Sequence, residues 1–231
     1  MTIWELVKAK REKARLQKLS ALQMANPLDR ALPFGLHIDG KIDIAILLPD
    51  AIDPLFSQGA HIIEGFSEVD LMGYTCFRVM LRQEQDESGS YLWITQNDNE
   101  MFVRWFVNID EVFPSSTEEW DFWLSDDYGS IGIQQFQMKD GALFDRLWGA
   151  REESIVEPVC FDERLVLNRF DDTDTKFIEH RSMLYGREVG DDVCPCDEYV
   201  LLSACSERDG SCVSIDVGVD LDLSANIKVI Y

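Results

Sequence analysis

No stretch of this 231-residue chain approaches the ~20 apolar residues that a membrane-spanning helix requires. Its opening residues mix charged and apolar side chains and hold no hydrophobic segment of a secretory leader, which places the expectation in the cytoplasm. The six cysteines, Cys76, Cys160, Cys194, Cys196, Cys205 and Cys212, then read as reduced thiols. Catalytic signatures are also missing. There is no His-Glu-x-x-His, no Gly-x-Ser-x-Gly, no phosphate-cradling loop and no cysteine with recognisable catalytic flanks. Only three histidines occur, His37, His61 and His180, and none sits in a motif, so each reads as a surface or hydrogen-bonded residue. Neither a cofactor nor a metal follows from such patterns. Beyond the first thirty positions basic residues are scarce, 14 against 40 acidic. That balance argues against nucleic-acid binding by the body, because phosphate binding depends on neutralising cations.

What is present is lopsided charge. The formal net charge is −22, yet the first thirty residues carry Lys8, Lys10, Arg11, Lys13, Arg15, Lys18 and Arg30 against Glu5, Glu12 and Asp29. The expected layout is a basic helical arm, residues 1–30, on an acidic domain, residues 31–231. Residues 3–25 lack Pro and Gly and favour a helix, which Asn26-Pro27 ends. Its apolar stripe is ragged, so it reads as a solvated helix or one docked on the acidic body. A contact with a partner or an anionic membrane surface through residues 1–26 is the sharper alternative.

From residue 33 the pattern turns to short β-type runs between turn signals. Leu36-His37-Ile38 and Ile42-Asp43-Ile44 flank Asp39-Gly40, a hairpin signal. Tyr74 to Leu81, Tyr91 to Thr95, Met101 to Val107, Ile131 to Met138, Tyr199 to Cys205, Cys212 to Val219 and Ile227 to Ile230 read as strands. Ala142 to Trp148 is ambiguous and leans to strand. One short helix interrupts the series: Ser116 and Glu119 form a capping box, and Trp120, Trp123 and Leu124 follow at helical spacing. The expected class is mostly β (α+β): antiparallel sheet or partly closed barrel modules, an N-terminal helix and a short Trp-bearing helix. A sub-module boundary is expected near 149–158.

Candidate chemistry is sparse. Cys194, Cys196, Cys205 and Cys212 offer four soft ligands, but the single Pro195 between the first two is tighter than structural zinc spacing. Zinc and a redox-active pair are both weighed against ordinary packing thiols. Asp172 and Asp174 read as an acidic loop. Asp216, Asp220 and Asp222 alternate with Val217, Val219, Leu221 and Leu223, which reads as a strand with one wet face. Trp93, Trp105, Trp120, Trp123 and Trp148 are mostly core, with one or two as partner anchors. The interaction candidates are Trp120, Trp123, Asp126, Asp127, Lys10 and Arg11.

Glu119-Trp120-Asp121-Phe122-Trp123-Leu124, Gly129-Ser130-Ile131-Gly132, Phe136, Asp140-Gly141, Arg146 and Trp148 resemble the YjfK-like family of uncharacterised bacterial proteins. Leu32-Pro33-Phe34 to Leu48, Phe77-Arg78 and Leu184-Tyr185-Gly186-Arg187 extend the similarity over most of residues 31–231. The resemblance implies no catalytic residues. It implies a context beside phage-shock-type membrane-stress proteins and polyamine-conjugating ligases. The expectation is a non-enzymatic binding or accessory protein that recruits a basic protein or a polyamine. The alternatives are an enzyme or accessory subunit gripping a cationic small molecule through carboxylates, and a zinc-stabilised module.

Overall fold

Apolar runs of period two need a partner on each edge, and here they find one around a closed ring. The computed structural model describes residues 32–83, 89–97, 100–125, 127–167, 175–190, 194–208 and 210–230. The arm with its helix at 3–25, and the acidic pair Asp172 and Asp174, lie outside the described residues. Among these, twelve strands follow: β1 (Lys41–Ile44), β2 (Gly59–Leu71), β3 (Tyr74–Arg82), β4 (Ser90–Asn97), β5 (Glu100–Val112), β6 (Gln135–Gln137), β7 (Leu143–Arg146), β8 (Val159–Val166), β9 (Thr175–Val189), β10 (Cys196–Glu207), β11 (Gly210–Leu221) and β12 (Ile227–Ile230). Every pairing is antiparallel. The ring runs β2-β3-β4-β5-β11-β10-β9-β8 and closes where β8 meets β2 at Phe66 and Val166, an eight-stranded barrel. Closure removes the exposed edges that an open sheet would leave. β1 and β12 extend from β2, while β6 and β7 extend from β9.

Alternate residues of these strands fill the barrel. Trp93 of β4 meets Phe161 of β8 with ring centroids 5.8 Å apart, although β3 and β2 lie between them in the sheet. One part of the interior is apolar, with Val69, Leu71, Cys76, Trp93, Phe106, Leu184 and Leu201 in one cluster. Tyr91 stacks on Phe106 at 5.4 Å. Gly218, directly opposite Phe106, makes room for that ring, since a Cβ there would lie 2.5 Å from it. Gly218→Val is therefore expected to cost about 1–3 kcal/mol through overpacking. A urea titration with an unchanged midpoint would show that the ring has somewhere else to go.

The outer face is buried too. Residues 32–56, the helix and the stretch 131–156 lay Leu36, Ile52, Phe56, Trp123, Ile131 and Phe144 into one core with Trp105, Leu92, Val217 and Tyr185 of the barrel wall. Strands buried on both faces lose clean alternation, which is why several read as continuous apolar runs. Tyr185 and Arg146 tie this cover down. The Tyr185 hydroxyl donates to Ser130 O at 3.0 Å and accepts from Gly132 N at 2.9 Å. Arg146 donates to the carbonyls of Gly132, Ala150 and Glu153.

The helix α1 (Thr117–Leu124) begins as its capping residues dictate. Ser116 Oγ accepts from Glu119 N at 3.2 Å, and Glu119 Oε2 accepts from Ser115 N at 2.5 Å. A second short helix, α2 (Leu223–Asn226), is capped by Asp222 and leads into β12. No helix among the described residues is long and apolar enough to cross a membrane. The strand expected across Ala142–Trp148 is β7.

Three expectations are corrected. Leu36–Ile38 is not a strand, so Asp39-Gly40 closes no hairpin. Leu36 and Ile38 instead turn into the core, and Asp39 (φ 66°) reaches β2 by donating to Ile63 O at 2.8 Å. The run Ile131–Met138 forms a strand only at β6, with one isolated bridge from Ile133 to Ile155, because Gly132 (φ 127°) breaks it against Val156. Asp216 lies on no wet face; it is buried inside the barrel.

Candidate functional site: the polar end of the barrel

The remainder of the barrel interior is polar, and its centre is an ion pair between strands that are not neighbours. Arg78 of β3 donates from Nη1 to Glu163 Oε2 of β8 at 2.6 Å. His180 Nε2 of β9 lies 2.7 Å from the same oxygen, and Ser67 Oγ of β2 donates to Oε1 at 2.5 Å. Arg78, Glu163 and His180 are only 9%, 1% and 4% exposed. Burial by itself would raise the Glu163 carboxyl, but Arg78, His180 and Ser67 outweigh it and hold the group down at about 2. Glu163 is thus an anion, and His180 carries its proton on Nε2 to donate to it. The Arg78 guanidinium packs over the Tyr91 ring at 4.2 Å and the Trp93 ring at 5.7 Å. Burial opposes its charge, yet Glu163 keeps it firmly protonated. Its Nε has no hydrogen-bond partner among the described residues.

A second carboxylate completes the network. Asp216 of β11 accepts from the Tyr91 hydroxyl at 3.0 Å and from Asn108 Nδ2 at 2.8 Å. Burial pushes its carboxyl upward in spite of Arg78 and these donors. The Tyr91 phenol is raised well above its ordinary value by burial and by Asp216. Ser182 and Ser203, facing each other on β9 and β10, share a hydrogen bond at 2.6 Å.

Two cysteines stand at the end of this network. Cys205 of β10 and Cys212 of β11 are directly opposite in register, and both are half-buried. Cys205 Sγ lies 3.4 Å from His180 Nδ1. The facing thiols shift each other in opposite directions: Cys212 and burial raise Cys205, while Cys205 lowers Cys212. Of the two, Cys212 is the more acidic thiol.

Outside the wall, a pocket of about 420 Å³ lies between α1 and the adjoining ends of β8, β9, β10 and β11. Trp120 and Leu124 of α1 line one side, and Asp162, Glu179, Arg181 and Ser206 belong to the other. Asp162 and Glu179 are directly opposed on β8 and β9. Phe161, His180 and Cys205 also border it, although strand alternation turns their side chains towards the barrel interior.

Of the residues singled out in the sequence, Trp120 lines this pocket, and Trp123 is buried against the barrel wall at 8% exposure. Asp127 is exposed. Asp126, Lys10 and Arg11 lie outside the described residues. The four-cysteine zinc reading is corrected by distance. Cys196 and Cys205 sit at opposite ends of β10, about 30 Å apart at ~3.3 Å per residue. Groups of three or more metal-ligating side chains are absent among the described residues. The Arg78–Glu163–His180 centre went unread because its members lie 85 and 17 positions apart and only barrel closure joins them. The available signal was Arg78 itself, a cation inside the apolar run Tyr74–Leu81.

Residues 10–228 match a family model described as a protein of unknown function (DUF2491), and the chain belongs to this family. No curated protein and no solved structure matches it.

Proposed function

We propose that the protein acts by binding rather than by transforming a substrate, and that its ligand is a flexible aliphatic polycation of the polyamine type. The observation that carries this reading is the pocket beside α1. Its volume, about 420 Å³, lies in the range that takes a small ligand. The indole of Trp120 offers a cation–π surface, and the opposed carboxylates Asp162 and Glu179 offer charge-assisted acceptors. Arg181 in the same lining sets an orientation, because it repels one end of a polycation and leaves the carboxylates to hold the other. The net charge of −22 raises the local concentration of cations around such a site.

Isothermal titration with spermidine at low salt tests this. Saturable binding is expected, weakened about 10-fold or more in Asp162→Asn and Glu179→Gln, since a charged hydrogen bond contributes about 1.5–3 kcal/mol. Affinity weaker than millimolar, or heat without saturation, ends the reading. A lysine-rich peptide that binds while spermidine does not would transfer the site to a basic protein partner.

The similarity to the YjfK-like family supports a bacterial, cytoplasmic setting linked to envelope stress or polyamine conjugation. In that setting the basic arm is a second contact, directed at a partner or an anionic membrane surface. Removing residues 1–26 is expected to leave the barrel folded and reduce flotation with anionic liposomes. Equal flotation of both forms removes the arm from the scheme.

A further inference from the structure

Cys205 and Cys212 have a geometry that packing alone does not require. Directly opposed residues on antiparallel strands hold their Cα atoms about 4.5–5.5 Å apart, within the ~4.4–6.8 Å that a disulfide spans. Both thiols are half-buried, so small reagents reach them. Behind Cys205 stands an oriented base. Ionised Glu163 selects the neutral tautomer that donates from His180 Nε2 at 2.7 Å, and in that tautomer the lone pair of Nδ1 faces Cys205 Sγ at 3.4 Å. Arg78 and Ser67 fix Glu163 in turn. The sequence of contacts is thiol, imidazole, carboxylate, with a second thiol beside the first.

We propose that Cys205 and Cys212 are a redox-active dithiol, oxidised to a cross-strand disulfide by exchange with a small disulfide, with His180 as the base that takes the Cys205 proton. The Cys212 thiolate attacks one sulfur of the small disulfide. A Cys212–sulfur bond forms, the reagent's sulfur–sulfur bond breaks, and one thiolate leaves to be protonated by solvent. His180 Nδ1 then accepts the proton of Cys205, whose sulfur attacks Cys212. The Cys205–Cys212 bond forms, and the second thiolate leaves and recovers the proton from His180. The dithiol loses two electrons and two protons, and the reagent becomes two thiols. Cys212 is suited to the first attack because the neighbouring Cys205 lowers its thiol. Glu163 is a positioning residue: it touches neither sulfur and sets the imidazole tautomer.

Equilibration of the full chain with oxidised glutathione, followed by alkylation and peptide mass spectrometry, tests the proposal. The expected product is a Cys205–Cys212 disulfide, with loss of two hydrogens and no retained glutathione. Cys205→Ser is expected to trap one glutathione on Cys212. His180→Asn is expected to accumulate the same mixed disulfide with Cys205 present and to slow its resolution about 100-fold, the share a positioned base supplies. Cys205 and Cys212 both alkylated after oxidation, while exposed Cys160 carries glutathione, would overturn the dithiol. Unchanged resolution in His180→Asn would overturn the role of the base. If that variant does not fold by circular dichroism, the Cys205→Ser result decides by itself: glutathione on Cys212 supports the dithiol, and its absence there overturns it.

Discussion

Glu163→Gln is expected to lower the stability of the folded chain by about 3–5 kcal/mol, read as a large fall in the urea midpoint. The substitution keeps the shape but removes the charge that Arg78 faces inside a closed barrel. A guanidinium that is 9% exposed then loses the carboxylate its Nη1 donates to, and among the described residues Asp216 is left to face it without a hydrogen bond. Arg78→Met leaves the complementary defect, a buried Glu163 carboxylate held only by His180 and Ser67. The double variant Arg78→Met, Glu163→Met is expected to recover most of the loss, because an apolar pair of similar size avoids desolvating either charge. Additive losses in the two single variants would show that the groups do not act as a pair.

The same centre governs acid stability, and its sign follows from the direction of the shift. Glu163 is depressed in the folded chain, to about 2 from an ordinary value of 4.5. Its contribution is therefore complete above about pH 4.5 and is lost as the pH falls towards 2. Asp216 is shifted upward, so its protonation favours the folded state; that gain builds as the pH falls through its raised value and is complete below about 3.8. The wild-type chain is expected to lose stability more steeply below about pH 4.5 than the Arg78→Met, Glu163→Met variant. Parallel curves from denaturant titrations across that window would remove Glu163 from acid sensitivity.

Arg146→Met is expected to release the cover on the outer wall, at a cost of about 3 kcal/mol, because it strands buried carbonyls. Arg146 is 4% exposed and is held by no carboxylate among the described residues; its guanidinium serves the backbone of Gly132, Ala150 and Glu153. Those three points pin the irregular stretch from β6 to β8 against the sheet. Amide hydrogen exchange is expected to quicken across 132–156 before it does in β10 and β11, a local opening rather than global unfolding. Uniform quickening over all strands would mean that the stretch and the barrel open as one unit.

Much of the sheet was legible from short-range signals. The alternating runs at Tyr74–Leu81, Tyr91–Thr95 and Tyr199–Cys205 are strands, and Ser116 with Glu119 starts α1 where the capping pattern places it. These features depend on neighbours within a few residues. Local pattern misleads where a remote segment decides the environment. Leu36–Ile38 carries a strand pattern but packs as an irregular cover, and Asp216 follows a wet-face rhythm yet points into a filled barrel. The candidate site was largely invisible for the same reason. Trp120, which follows the capping box at helical spacing, lines the pocket, whereas no spacing in the sequence joins Arg78, Glu163 and His180.

Composition and local pattern by themselves determined the charge of −22, the antiparallel β character, the capped α1 and the absence of familiar catalytic signatures. Ring closure through Phe66 and Val166, the pairing of Arg78 with Glu163, and the meeting of Cys205, Cys212 and His180 were decided only in three dimensions. The physical reason is the range of the interactions. Turns, caps and the pleat act over a few residues, so they are written in adjacent letters. A buried charge survives only beside its counter-charge, and which strand supplies it depends on how the sheet curls shut.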